Sequence, residues 1–139
     1  MADTTKTLFD PSTGLASEFF YIEMKEVDPQ NGKIWDDHGL EDVPTNVAFW
    51  RVNPSLGFFK LGDCVSDFHD INPEKGQKAP IAITLKPKED KYAYLLKEPT
   101  GFEKVWSSEG SGKSDRGYIW RMKCPDGYVA LGDICSTYD

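Results

Sequence analysis

The chain has 139 residues, a formal net charge of −7 and a sequence pI near 4.8, with 39% hydrophobic and 13% aromatic residues. That length can bury one real core, and aromatic-rich composition favours strands. The acidic balance excludes nucleic acid as a default partner, and the lack of a long apolar run excludes a membrane-spanning helix.

In chain order, Met1-Ala2-Asp3-Thr4-Thr5-Lys6 lacks the apolar stretch of a secretory signal, so a cytoplasmic setting is expected. The best helical candidate, residues 13–18, is too short to stand alone. Strands are predicted over residues 19–24 and through Trp35. Next come Ala48, Trp50 and Val52, apolar at period two, then a Pro54/Gly57 turn, then Phe59, Leu61 and Val65 on one face. Residues 81–85 and 92–96 read as further strands, followed by one through Trp106. The chain ends on Tyr118, Trp120 and Met122, a Pro125/Gly127 turn, and Val129, Leu131 and Cys135. Each of these last units reads as a hairpin, and turn residues punctuate at all-β spacing.

The chain also says nearly the same thing twice. Trp50, Arg51, Gly57, Leu61, Gly62 and Asp63 return at Trp120, Arg121, Gly127, Leu131, Gly132 and Asp133, all at an offset of 70. Lys33-Ile34-Trp35 answers Lys104-Val105-Trp106 at 71, and Lys25-Glu26 answers Lys97-Glu98 at 72. A weaker echo pairs Thr7-Leu8 with Thr84-Leu85. An offset that drifts by single residues is what loop insertions produce. The expected fold is therefore all-β: a pseudo-twofold antiparallel β-sandwich of two repeats, or alternatively a β-prism-like arrangement. Residues 1–139 are expected to form one domain of two intertwined repeats of about 70 residues. N-terminal strands would complete the sheet of the C-terminal copy, with residues 19–24 standing where 92–96 stand in the other. Trp50 and Trp120 are expected as equivalent buried core residues.

In the second copy, Trp120-Arg121-x-x-x-Pro125-x-Gly127-Tyr128-x-x-Leu131-Gly132-Asp133 follows a Trp106 and the Gly/Ser/Asp-rich stretch 107–117. This resembles the vacuolar-protein-sorting 62-like family of fungi and plants. The family's repeated motif has the form Trp-x-Pro-x-Pro-x-Gly-Tyr-x-x-Leu-Gly-Asp. The resemblance covers about half the chain, residues 33–67 and 104–139. A similar signature occurs in the adaptor-binding repeats of the large vacuolar-sorting lipid-transfer proteins, and β-prism modules that target pore-forming toxins to membranes are a looser analogy. The resemblance implies a fold; it supplies no catalytic residues.

What both copies share reads as architecture, so recognition is sought where they differ. That singles out Asp36, Asp37 and His38 in one loop, and Glu109, Ser111, Lys113, Asp115 and Arg116 in the other, as ligand-binding candidates. Asp63, Asp67 and Asp70 are candidate oxygen ligands for Ca²⁺, the one cofactor considered. Asp63 and Asp133 fall in phase with inward apolar residues, where a lone carboxylate is expensive. Either Gly62 and Gly132 reset the phase with a bulge, or the carboxylates accept backbone N–H groups in the following turn. His38 and His69 lie in different loops without helical metal-ligand spacing, and read as loop surface. Cys64, Cys124 and Cys135 face Ile134, Pro54 and Val65 in the other copy, so they read as free thiols and not a disulfide framework. No nucleophile–base pair emerges, so no enzyme is expected. The expected function is a non-catalytic recognition module for a membrane lipid head group, a glycan or a protein. The alternative is a self-associating structural or toxin-accessory module.

Overall fold

The computed structural model describes residues 17–40 and 46–138. The weak echo at Thr7-Leu8 and most of the 13–18 helical candidate lie outside them. The described residues form nine strands: β1 (Phe20–Glu26), β2 (Lys33–Asp36), β3 (Ala48–Trp50), β4 (Phe59–Lys60), β5 (Cys64–Ser66), β6 (Ile81–Pro87), β7 (Gly101–Ser107), β8 (Tyr118–Lys123) and β9 (Asp133–Ser136). These make three antiparallel three-stranded sheets, ordered β2-β3-β5, β7-β8-β9 and β1-β6-β4. The fold is all-β as expected, and three sheets give it the prism-like form.

The first two sheets carry the same register. Ala48, Phe49 and Trp50 pair with Ser66, Val65 and Cys64. Tyr118, Ile119 and Trp120 pair with Ser136, Cys135 and Ile134. Each partner stands 70 residues beyond its counterpart. A register shift falls between Lys33 and Trp35 in one sheet and between Lys104 and Trp106 in the other. The tryptophans at position 50 and 120 are tied alike. Trp50 Nε1–H donates to Ser66 Oγ at 2.8 Å, and Ser66 donates on to the Phe68 carbonyl at 2.7 Å. Trp120, Ser136 and Tyr138 repeat both bonds at 2.8 and 2.7 Å.

The third sheet departs from expectation. β1 pairs with β6 from Phe20↔Pro87 to Glu26↔Ile81, so the N-terminal strand builds its own sheet and does not complete the C-terminal one. Residues 92–96 are not a strand: Asp90–Leu95 is a 3₁₀ helix. Within it Tyr92 packs edge-on against Phe19, with ring centroids 5.1 Å apart. The expected hairpins are also looser. β3 pairs directly with β5, and the segment between them leaves to add β4 to β6. Phe59, Val65, Val129 and Leu131, expected to point inward, are exposed.

β3 is buried along its whole length because it has a cluster on each face. Trp50 joins Val27, Ala48 and Val52, with Ala82 of β6 packed against them. Phe49 joins Trp35 and Cys135 of β9. Burial is uneven between the copies. Trp50 and Trp35 are 0% and 3% exposed, whereas Trp106 is 42% exposed and Trp120 is only half-buried, a correction to its assignment as a buried equivalent of Trp50.

The repeated Leu-Gly-Asp is where the first two sheets meet. A Cβ on Gly62 would stand 2.8 Å from the Asp133 carbonyl oxygen, and one on Gly132 would stand 2.7 Å from that of Leu61. Asp63 N–H donates to the Asp133 carbonyl at 2.8 Å. The glycines are thus required by close backbone approach. The Asp63 side chain is fully buried. Its oxygens accept from Val52 N–H at 3.1 Å, Cys135 N–H at 3.0 Å and Lys60 Nζ at 2.8 Å. It serves as a staple between sheets, which resolves its phase. Its donors come from β4, β9 and the residue pair just after β3, and not from the following turn. Asp133 faces Arg121 Nε at a longer 3.4 Å.

Candidate functional site

The loop that leaves β2 and the loop between β7 and β8 begin with one construction. Asp37 N–H donates to the Val47 carbonyl at 3.0 Å, and its carboxylate accepts Val47 N–H at 3.0 Å. In the other copy Ser108 N–H donates to the Gly117 carbonyl, and Ser108 Oγ accepts Gly117 N–H, both at 2.9 Å. Asp37 and Ser108 are 5% and 4% exposed. Asp37 is therefore a loop clasp. Its expected place on a ligand-binding surface is corrected, because the side chain is buried and its Oδ1 is engaged by Val47 N–H and the His69 ring.

From these clasps the two loops are drawn together. Trp35 Nε1–H donates to the Asp115 carbonyl at 3.2 Å. Lys113 Nζ donates to the Asp36 carbonyl at 2.5 Å and lies 3.3 Å from its carboxylate, 3.6 Å from that of Asp115 and 5.3 Å from the Trp35 ring centre. Gly117 lets Trp35 in: a Cβ there would stand 2.6 Å from the indole. Lys33, which the sequence reading left as part of the shared framework, extends the chain of charges. Its Nζ is 3.0 Å from Asp36 Oδ2 and 2.7 Å from Asp70 Oδ1. The signal available for it was its position three residues before Asp36. Burial opposes ionisation of Asp36, but bonds from Lys33, His38 N–H and Lys113 outweigh it and hold the carboxyl at about 2.

Asp36, Lys113, Asp115 and Asp70 therefore come together, and His38 joins them through its backbone N–H, 3.0 Å from Asp36 Oδ1. Glu109 and Arg116 form an exposed pair of their own at 3.4 Å. Ser111 N–H closes a turn onto the Ser108 carbonyl at 3.0 Å. His69 Nε2 meets Asp37 Oδ1 at 2.5 Å, and its Nδ1 is 3.4 Å from Nδ1 of His38. The histidines, read from sequence as loop surface, are thus in contact with each other, which their separation of 31 residues did not reveal.

The proposed calcium triad does not converge. Asp63 is sealed inside and partnered by Lys60, Asp70 is paired with Lys33, and Asp67 lines a depression. Among the described residues, no group of three or more His, Cys, Asp or Glu side chains is arranged to hold a metal. The depression is shallow and open, with a volume of 570 Å³, and its wall includes Asn46, Val47, Asp67, Phe68 and Lys78. The thiols are free. Burial and the Asp63 carboxylate push Cys64 up, and burial pushes Cys135 up to about 12. Neither is prepared as a nucleophile, which needs a thiolate.

A three-sheet all-β module with a polar loop cluster at the sheet ends is the class that fold and site define. The model of the family described as vacuolar protein sorting-associated protein 62 matches residues 18–139, and the chain belongs to that family. Among solved structures it is similar to the crystal structure of GNIP1Aa from Chromobacterium piscinae, with a TM-score of 0.61 and 28% identity. That match covers 85% of this chain and 21% of the other, so this chain spans about a fifth of that protein's length. No curated protein matches the chain. Among the described residues no helix is long and apolar enough to cross a membrane.

Proposed function

We propose that this chain is a non-catalytic recognition module, one domain of two intertwined repeats, that binds its ligand through the loops at one end of the β scaffold. The observation that carries the reading is the joining of the two dissimilar loops. Lys113 on Asp36 and Trp35 on the Asp115 carbonyl make one surface from segments that differ between copies. A rigid frame that presents variable loops is the usual platform for binding. Beside it, the depression offers an aromatic ring, a carboxylate and an ammonium group: Phe68, Asp67 and Lys78. With Val47, Val65 and Pro80 also in the wall, the lining supports a ligand that has both polar and apolar parts, such as a glycan or a lipid head group. Free thiols at Cys64, Cys124 and Cys135 support a cytoplasmic setting. Glycan and lipid arrays would find the ligand, and alanine at Asp115 and Arg116 would then test the site. The expected result is at least tenfold weaker binding with unchanged thermal stability. Unchanged affinity there, with loss on substitution at Phe68 or Lys78, would move the site into the depression.

A second reading, self-association, is favoured by the outer face of the β1-β6-β4 sheet. Met24, Ile81, Ile83 and Phe59 share that face and are 46, 51, 40 and 46% exposed. On the inner face Ala82 packs on the core, while Thr84 Oγ1–H donates to Glu23 Oε1 at 3.2 Å and Ser55 Oγ–H to Glu23 Oε2 at 3.0 Å. Mass from light scattering after size exclusion separates the readings, because only self-association predicts a multiple of 15.7 kDa.

A further inference from the structure

We propose that His38 and His69 form a binding site for a divalent transition-metal ion of the zinc class, through the Nδ1 atoms of both rings. The two Nδ1 atoms are 3.4 Å apart. Two imidazole nitrogens bound at ~2.0–2.1 Å to one tetrahedral ion lie about 3.3–3.4 Å from each other. The rings stand nearly perpendicular, at 81°, so the two nitrogens meet without the rings stacking.

The second observation lies behind His69. Its Nε2 is held 2.5 Å from Asp37 Oδ1. Asp37 is buried and is itself fixed by Val47 N–H at 3.0 Å. In the neutral tautomer whose Nε2–H donates to that carboxylate, the lone pair is on Nδ1, the atom that faces Nδ1 of His38. A carboxylate on the far nitrogen of a histidine is the outer-shell arrangement that orients metal ligands and makes them more basic. His38 is positioned from its own side by the bond from its backbone N–H to Asp36 Oδ1 at 3.0 Å. His38 is exposed, which leaves the remaining positions on the ion to water. Since no third His, Cys, Asp or Glu among the described residues completes the set, the site is a two-ligand one of modest affinity. Nitrogen donors exclude Ca²⁺, which takes oxygen. A bound ion would tie the loop after β2 to the 67–70 segment.

The test uses the untagged full chain and zinc alone. Isothermal titration should show one site at micromolar affinity, weakened at least tenfold by either His38→Ala or His69→Ala. Thiols compete for zinc, so ¹⁵N NMR of the imidazoles supplies the decisive readout. Zinc should move the Nδ1 signals of both rings and leave His69 Nε2 protonated. Asp37→Asn should weaken binding, and its circular dichroism and melting curve report whether the clasp still folds. Ca²⁺ should leave the spectra unchanged. Absence of saturable zinc binding, or binding that both alanine variants retain, would overturn the proposal. So would zinc that perturbs only cysteine neighbours.

Discussion

At the scale of single residues, burial separates side chains that the sequence presents as equals. Trp50 and Trp120 occupy matching strand positions and donate to matching serines, yet Trp50 is sealed between sheets and Trp120 is half-buried. Trp50→Ala is expected to cost about 3–5 kcal/mol, and Trp120→Ala clearly less, about 1–3 kcal/mol, since less area returns to water. Denaturant unfolding of the two variants checks the order; equal losses would contradict the asymmetry. Cys135 gives a prediction about pH. Burial raises its thiol from 9.0 to about 12, so the folded state keeps a proton that the unfolded chain releases above about 9. Its contribution to stability is full below pH 9 and is lost as pH rises toward 12. Cys135→Val places there the residue type found at Val65, and should flatten the fall in stability measured as pH rises from 9.0 toward about 12. From sequence, Asp63 stood open between a calcium ligand and a structural carboxylate, because nothing local shows what would hold it. The donors that hold it, Val52 N–H just beyond β3 and Cys135 N–H of β9, lie 11 and 72 residues away.

At the scale of elements, the strands bearing Trp35, Trp50, Trp106 and Trp120 were legible because alternation and repetition agreed. Their neighbours were less so. Residues 92–96 are a short continuous apolar run, which fits a strand or a helical segment alike, and the 3₁₀ segment places Tyr92 on Phe19. The loop cluster was legible in part: divergence between copies pointed to Asp36, Lys113 and Asp115, but it also drew in Asp37, whose role as a clasp is performed by Ser108 in the other copy. Like function carried by unlike residues looks like variation. The Leu-Gly-Asp junction yields a sharp expectation. A methyl group at Gly62 would meet the backbone of the Gly132–Asp133 segment, with Asp133 O, Asp133 N and Gly132 Cα within 3.1 Å. Backbone of two paired sheets cannot yield as a flexible side chain can. Gly62→Ala and Gly132→Ala are each expected to destabilise by about 1–3 kcal/mol. Gly101→Ala is the control, because its methyl would meet only Lys123 Cδ at 3.7 Å. Melting temperatures of the three variants decide the matter, and a Gly62→Ala protein as stable as Gly101→Ala would refute the contact.

At the scale of the whole molecule, charge and the placement of cations bear on membranes. The net charge is −7. Three of the lysines are already committed to carboxylates: Lys33 to Asp36 and Asp70, Lys60 to Asp63, and Lys113 to Asp36. Attraction to an anionic surface needs basic groups facing outward together, and these are spent inside the fold. The calcium bridge that sequence suggested is also removed, since Asp63 is buried away from Asp70 and salt-bridged to Lys60. Phosphatidylserine liposomes are therefore expected not to cosediment with the chain at low salt, and adding Ca²⁺ or a chelator should change nothing. Binding to a particular neutral or phosphorylated head group would remain compatible with the loop site, and it should survive moderate salt because its selectivity comes from a pocket and not from the diffuse field. Strong chelator-insensitive binding to any anionic lipid, abolished by moderate salt, would instead demand a basic face. The arrangement of ion pairs around Lys33, Lys60 and Lys113 would then have to be abandoned.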